Sequence, residues 1–294
     1  MQKIILLTLL LTISFGAYSQ KDILSQMHGL EYNGNLIFNV SGHQIMVMQD
    51  NSMLTETGIK NLKKTYKIKN VDAEYKDTKL SNKNNLVIEN TVPNEKNTAM
   101  KTYQVFYFLG GDYKDVTTIF FQSLTPIDSS IRKAFMDAYF ANKLAKYYTN
   151  DWNAEQIDFV GRKIELGDAC KWVAPNNVQC DALGEMSWSE FDNMEDAENQ
   201  TALAIQTISP HKLIKKERAS IIFEGQSLPA TRVVYKSGGP KLLSGGAPDK
   251  MAVYYVTAKV RDKYISCVLS YYVYDTNDYN LAPLLQEVMS LKGK

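Results

Sequence analysis

Apolar and polar positions alternate along much of this chain, and the alternation predicts more strands than helices. LIFNV and QIMVMQ flank Ser41-Gly42-His43 and read as a hairpin, because a strand turns successive side chains to opposite faces. Helical spacing replaces the alternation over residues 57 to 66, through Ile59, Leu62 and Tyr66. Residues 66 to 75 and 86 to 92 read as strands around the polar stretch KDTKLSNKNN. A helix follows from about 130 to 148, with Ile131, Phe135, Tyr139 and Leu144 along one stripe. Further on, IDFVGRKIEL and GEMSWSEF are strand-like, and Met194, Ala197, Thr201, Ile205 and Ile208 set out a helix stopped by Ser209-Pro210. RASIIFEG and PATRVVYK form another hairpin, and SGGPKLLSGGAPDK reads as a flexible loop before the last unit.

The chain also resembles itself at an ungapped offset of 150 residues. The segment beginning at Tyr103 lies over that beginning at Val253, which matches Asp112 with Asp262, Ile119 with Leu269, Phe121 with Tyr271, Asp128 with Asp278, Ile131 with Leu281 and Phe135 with Leu285. Both copies read as strand, turn, strand and an amphipathic helix opened by an Asp suited to capping it. Short polar turns join most strands, so antiparallel pairing is expected. The predicted class is α+β, in two similar halves that each pair an antiparallel sheet with helices. Residues 20–150 and 151–294 are the expected halves, each large enough for its own core. One continuous sheet shared by both halves is the alternative.

This succession, and above all the ending from Met251 to Leu291, resembles the final hairpin and helix of PsbP-like domains. The resemblance implies an antiparallel α/β/α sandwich and an accessory, non-catalytic role. No residue matches a functional position of that family, so none is carried over.

The N-terminus supplies an address. Lys3, the apolar run from Ile4 to Ile13 and the small residues Ala17 and Ser19 have the layout of a secretory signal peptide over residues 1–19. The run is too short for a membrane-spanning helix, and the absence of Cys before Cys170 argues against a lipoprotein. A periplasmic or secreted chain starting near Gln20 is expected, with no transmembrane segment after cleavage. Three cysteines in an oxidising compartment allow one intrachain bridge, and the turn signal Pro175-Asn176-Asn177 favours Cys170 with Cys180. Cys267, within YISCVLSYY, reads as a small buried hydrophobe.

Charge excludes some partners. The 33 basic and 32 acidic residues balance, so no global field favours nucleic acid or an anionic membrane. Residues 20 to 150 carry 16 Lys and Arg against 13 Asp and Glu, and residues 151 to 294 carry 16 against 19. Scatter in surface charge is a simpler reading of this than electrostatic docking of two domains. Lys60, Lys63, Lys64, Lys67 and Lys69 likewise read as a solvated face of the first helix.

Catalytic signatures are missing from the sequence. His28, His43 and His211 form no metal-ligand motif, and no G-x-S-x-G, C-x-x-C or phosphate-loop pattern occurs, so neither catalytic residues nor a metal or other cofactor can be assigned. The glycines at 238, 239, 245 and 246 read as a surface loop. Glu190, Asp192, Glu195, Asp196 and Glu198 read as carboxylates opening the helix near 193, where its dipole favours them.

Two aromatic groupings point to binding. Tyr254, Tyr255, Tyr271, Tyr272, Tyr274 and Tyr279 crowd the last hairpin, and strand alternation forbids Tyr271 and Tyr272 from sharing one face. Trp172 and Trp188, with Trp152, surround the expected bridge and could form a carbohydrate or peptide platform, or simply pack against it. The candidate binding surface is therefore Tyr271, Tyr272, Tyr274, Trp172 and Trp188. The expected function is that of an exported binding or accessory protein of the bacterial cell envelope, with a partner-binding, assembly, inhibitor or immunity-like role, whose partner is an envelope or extracellular protein. The alternative is a hydrolase of envelope or extracellular polymers that uses a carboxylate pair not assignable from spacing.

Overall fold

The computed structural model describes residues 23–93, 100–111, 114–181, 184–206, 212–236 and 248–292. The expected signal peptide, the helix stop at Ser209-Pro210, His211, Asp112 and the Gly-rich segment 237–247 lie outside the described residues.

The first half opens with a three-stranded meander, β1 (His28–Tyr32), β2 (Asn35–Val40) and β3 (His43–Asp50), followed by helix α1 (Glu56–Thr65). Four more strands, β4 (Ala73–Tyr75), β5 (Asn85–Pro93), β6 (Lys101–Gly110) and β7 (Val116–Ser123), lead to helix α2 (Ser129–Phe140), a 3-10 turn and the short β8 (Tyr148–Thr149). Its sheet runs β4-β5-β6-β7-β3-β2-β1-β8, antiparallel except where β8 joins β1. The order arises because β7 returns to pair with β3, bringing the second meander beside the first.

Both faces of this sheet are covered. Leu62 of α1 packs with Ile88, Phe106, Phe108 and Phe120 on one face. Ile131 and Phe135 of α2 pack with Phe38, Val105, Tyr107 and Phe121 on the other. Such a strand has no polar face to show, which explains the unbroken apolar run VFYFL in β6.

The second half begins with an isolated hairpin, β9 (Gln156–Phe159) and β10 (Arg162–Glu165). The meander β11 (Cys170–Ala174), β12 (Asn177–Cys180) and β13 (Gly184–Phe191) leads into helix α3 (Met194–Gln206). Then come β14 (Leu213–Phe223), β15 (Gln226–Lys236), β16 (Lys250–Val260), β17 (Lys263–Val273), the single turn α4 (Pro283–Gln286) and β18 (Met289–Leu291). The sheet order is β11-β12-β13-β17-β16-β15-β14-β18. Apart from the hairpin β9–β10 and the added edge strands β8 and β18, meander, helix, four strands and helix recur in both halves in one spatial order. The α+β class holds, with sheet far outweighing helix.

Several boundaries differ from those expected, each for a local reason. Residues 66 to 72 are not strand. Lys67 takes a left-handed φ of 54° and Ile68 N–H donates to Lys63 O, so this stretch satisfies the last carbonyls of α1. The helix expected to reach 148 stops at Phe140 by the same device, with Asn142 at φ 54° and Lys143 N–H donating to Ala138 O. Asp128 caps α2 through Ser130 N–H at 2.6 Å. Asp278 caps no helix: its carboxylate accepts from Asn280 N–H in a turn, and α4 starts at Pro283.

The internal repeat also needs a correction. Ile119 pairs with Tyr107 and Leu269 with Tyr254, so Tyr254 stands where Tyr107 stands, whereas an ungapped offset of 150 puts Thr257 there. That offset fits β7 and β17 but lays Val105, on the α2 side, over Tyr255, on the α3 side. The second hairpin is longer by an odd number of residues, and an odd shift exchanges the two faces.

Registering the halves in this way exposes a shared cluster. Arg132 from α2 donates to the Tyr107 hydroxyl at 2.8 Å and pairs with Glu89 at 2.9 Å. In the second half the arginine comes from a strand: Arg232 sits across from Tyr254, the place Val87 holds across from Tyr107. Fully buried, it pairs with Glu217 at 2.9 Å, donates to the carbonyls of Thr276 and Asp278, and lies 4.4 Å from the Tyr279 ring centroid. Those bonds hold residues 276 to 278 in a loop and leave α4 only one turn.

The expected bridge between Cys170 and Cys180 is present across β11 and β12, and Cys267 is a buried free thiol. Replacing both bridge residues by Ser lowers stability by roughly 2 to 3 kcal/mol. Arg232→Met costs about 3 kcal/mol, because Glu217 loses its buried partner and two loop carbonyls lose their donor. Urea midpoints at constant m-value measure both; an Arg232→Met variant as stable as wild type contradicts the anchoring role.

Candidate functional site: a cavity between the halves

Strand β1 turns one face to the second half. Leu30 is fully buried within the second half's core, with His28 and Tyr32 on the same face two residues to either side. The His28 ring lies 4.4 Å from that of Trp172, and Tyr32 meets Trp152 edge-on at 5.5 Å. The neighbouring Gly29 must be glycine, since a Cβ there would stand 2.3 Å from the Phe38 ring.

Beside this contact lies a cavity of about 350 Å³. Trp172, Trp188 and Val160 form its apolar wall, the half-buried His28 and Glu190 each add a polar atom shielded from solvent, and Asp158 stands at the rim. The two indole rings are 6.3 Å apart and tilted by 47°. Trp188 and Glu190 arrive from β13, where the alternation Met186, Trp188, Glu190 puts the carboxyl on the face of the buried tryptophan. Asp158 accepts from Gly161 N–H at 2.6 Å and so holds the β9–β10 turn. In that turn Val160 has a φ of 53°, which a β-branched residue rarely adopts. Burial of its side chain against the cavity helps to hold it there.

Three buried polar atoms of the wall have no hydrogen-bond partner among the described residues: His28 Nδ1, Trp188 Nε1 and Glu190 Oε2. Burial raises the Glu190 pKa above the usual glutamate value; Lys263 opposes the rise and Asp158 adds to it. The Trp188 indole also favours the ionised carboxylate, without reaching an aligned hydrogen bond. Burial lowers the His28 pKa, which keeps that ring neutral at pH 7. Lys263 is occupied by Asp192 at 2.6 Å, in an adjoining pocket on the other side of the 23–27 turn.

Of the residues singled out in the sequence, Trp172 and Trp188 line this cavity at 9% and 4% exposure. The tyrosines lie elsewhere. Tyr271 is buried and stacked on Tyr254 at 6.5 Å, while Tyr272 and Tyr274 point to solvent at 53% and 67% exposure. The five residues therefore form no single surface. Trp152 stands apart from the indole pair, against Tyr32. His43 is structural: its Nδ1–H donates to Ser41 O and its Nε2 accepts from Asp128 N–H. Among the described residues no cluster of three His, Cys, Asp or Glu is placed to hold a metal ion. Glu190 and His28 are the site residues that sequence reasoning passed over, although alternation within GEMSWSEF and HGLEY carried the signal.

No family model and no curated protein matches the chain. Among solved structures it aligns with DynU16, from the dynemicin biosynthetic locus, over 85% of this chain and 76% of that one, at 9% identity and a TM-score of 0.18. It also aligns with two di-domain ARO/CYC proteins at 8% identity. StfQ, from the steffimycin biosynthetic pathway, covers 83% and 72% of the two chains with a TM-score of 0.16. BexL, from the BE-7585A pathway, covers 78% and 84% with a TM-score of 0.15. Scores this low carry no argument about fold or activity.

Because the folded state holds the Glu190 proton more tightly than the unfolded state, this group's contribution to stability falls as pH rises from the usual value of 4.5. His28 acts in the opposite sense, costing stability as pH falls below 6.5. Glu190→Gln should therefore gain stability relative to wild type as pH is raised from 4.5 towards 7. Urea midpoints of both proteins across that range test this, and a pH-independent difference contradicts it.

Proposed function

We propose that this is an exported binding protein of the bacterial cell envelope that takes its ligand in the cavity between its two halves. The observation that carries this reading is the coincidence of three unpartnered buried polar atoms with a two-indole wall in one cavity. Such groups cost free energy unless something completes their hydrogen bonds. A catalytic constellation instead orients its base with a further side chain, and neither His28 Nδ1 nor Glu190 Oε2 is held in that way. The disulfide fits an oxidising compartment, and no helix among the described residues is long and apolar enough to cross a membrane. The resemblance of the β16–β17 hairpin to the final hairpin of PsbP-like domains supports an accessory role, although the helix that follows in those domains is here only the single turn α4. An envelope or extracellular protein remains the partner of choice for such a module, with the exposed Tyr272 and Tyr274 as its contact side chains.

One observation favours hydrolysis of envelope polymers as a second reading: Glu190 and Asp158 share the cavity, one half-buried with a raised pKa and the other at the rim. A single preparation separates the two. Mature protein isolated from its native envelope and analysed by mass spectrometry should retain a small ligand that Trp188→Phe and Glu190→Gln lose while keeping wild-type circular dichroism. Turnover of an envelope polymer by wild type, abolished in Glu190→Gln, would replace the binding reading with the hydrolase. Absence of both ligand and turnover removes the cavity from consideration as the functional site.

A further inference from the structure

The chemistry of the cavity wall narrows what can fill it, on the premise that the cavity is a ligand site. Charge comes first. Two carboxylates, Glu190 and Asp158, line the space, and neither Lys nor Arg is among its lining residues. The cation that acts on Glu190, Lys263, is already paired with Asp192. An anionic ligand would find no counter-charge here, and although a neutral O–H or N–H can donate to Glu190 Oε2, only a cationic donor also balances the carboxylate charge.

The aromatic surfaces add a second condition. Trp172, Trp188 and the His28 ring cluster in the wall, and aromatic faces attract ammonium groups and also accept the C–H face of a saturated ring. A third condition comes from Trp188. Its side chain is nineteen-twentieths buried, and its Nε1–H, which can only donate, makes no aligned hydrogen bond, although it stands near enough to Glu190 to favour the ionised carboxylate. A quaternary ammonium group cannot accept that proton; a hydroxyl can. The volume, about 350 Å³, sets the last limit, at the low end for small-molecule sites and sufficient for one ring with its substituents.

We propose that the cavity binds a hydroxylated primary ammonium compound of the amino-sugar class. The ammonium group faces the Glu190 and Asp158 carboxylates, the ring lies against an indole, and a hydroxyl oxygen accepts from Trp188 Nε1–H. This assignment rests on the binding reading above and specifies its ligand.

Titration calorimetry and tryptophan fluorescence of the mature protein, residues 20–294, test it with glucosamine, N-acetylglucosamine, glucose and tetramethylammonium as probes. About pH 6 is suitable, since an amine of this kind is then protonated. Glucosamine should bind at least about tenfold more tightly than each of the other three, with a change in indole emission. Glu190→Gln should weaken glucosamine about tenfold and abolish its advantage over glucose, and Asp158→Asn, at the rim, should do so less. Thermal melts of both variants establish that they fold. Equal or tighter binding of glucose or N-acetylglucosamine overturns the ammonium assignment while leaving the cavity a ligand site. Equal binding of tetramethylammonium overturns the role given to the hydroxyl. No heat and no emission change with any probe overturns the amino-sugar class, and the ligand retained from the native envelope then decides the broader reading separately.

Discussion

The two halves meet through strand β1, with Leu30 at the centre of the contact. Leu30 belongs by hydrogen bonding to the first sheet, where β1 pairs with β2 and β8, yet its side chain is fully buried in the core of the second half. Burying a leucine contributes about 1.5 to 3 kcal/mol. That is enough to bias the halves strongly towards contact, and its two neighbours on the same face add ring contacts to Trp172 and Trp152. The cavity wall depends on this seam, because His28 reaches Trp172 only while Leu30 is seated. A rotation of one sheet against the other would expose Leu30 and separate the rings together. The position of the site is thus set by packing outside the site.

The two halves also show how one arrangement can be stabilised by different means. At equivalent rows each sheet places a tyrosine, Tyr107 or Tyr254, next to an arginine bonded to a glutamate. In the first half Arg132 reaches down from α2, and a full helix covers the face. In the second, Arg232 rises from inside the sheet and uses two further donors on the carbonyls of the following loop, where a helix would use its own N–H groups. The apolar positions survive this change, since Leu285 is as fully buried as Phe135. The periodic residues alone could not distinguish a helix from a pinned loop.

What was legible in the sequence follows the range of the interactions concerned. Hairpins joined by short turns, the Asp128 cap, the bridge between Cys170 and Cys180 and the opposite facing of Tyr271 and Tyr272 depend on near neighbours or on strand period, and they could be read directly. Strand β1 could not: HGLEY offers one aliphatic residue, and what makes it a strand is a partner on each side and a core contributed by residues far along the chain. Helical spacing over 57 to 66 gives the end of α1 correctly, but the turn at Lys67 that displaces the expected strand and the stop of α2 before Asn142 are not legible, because left-handed residues other than glycine leave a weak signal. Glu190 was grouped with the carboxylates opening α3, where propensity is satisfied, although the alternation of β13 placed it beside Trp188. The site was hard to see because its residues come from β1, β9, β11 and β13, and only the folded chain brings these together.

The buried thiol of Cys267 has a consequence for how the chain matures. It lies directly across from Trp188 in the pairing of β13 with β17, sealed on both sides by neighbouring strands. Three thiols permit three alternative pairings, and two of them use Cys267. Cys170 and Cys180 are ten residues apart and meet as soon as β11 and β12 form a hairpin, whereas Cys267 must be brought across a much longer loop. Local closure therefore has the head start, and insertion of β17 then hides the remaining thiol from oxidants. Short loop closure thus favours this bridge over the two that use Cys267, and a chain in which β17 is undocked leaves that third thiol open to exchange.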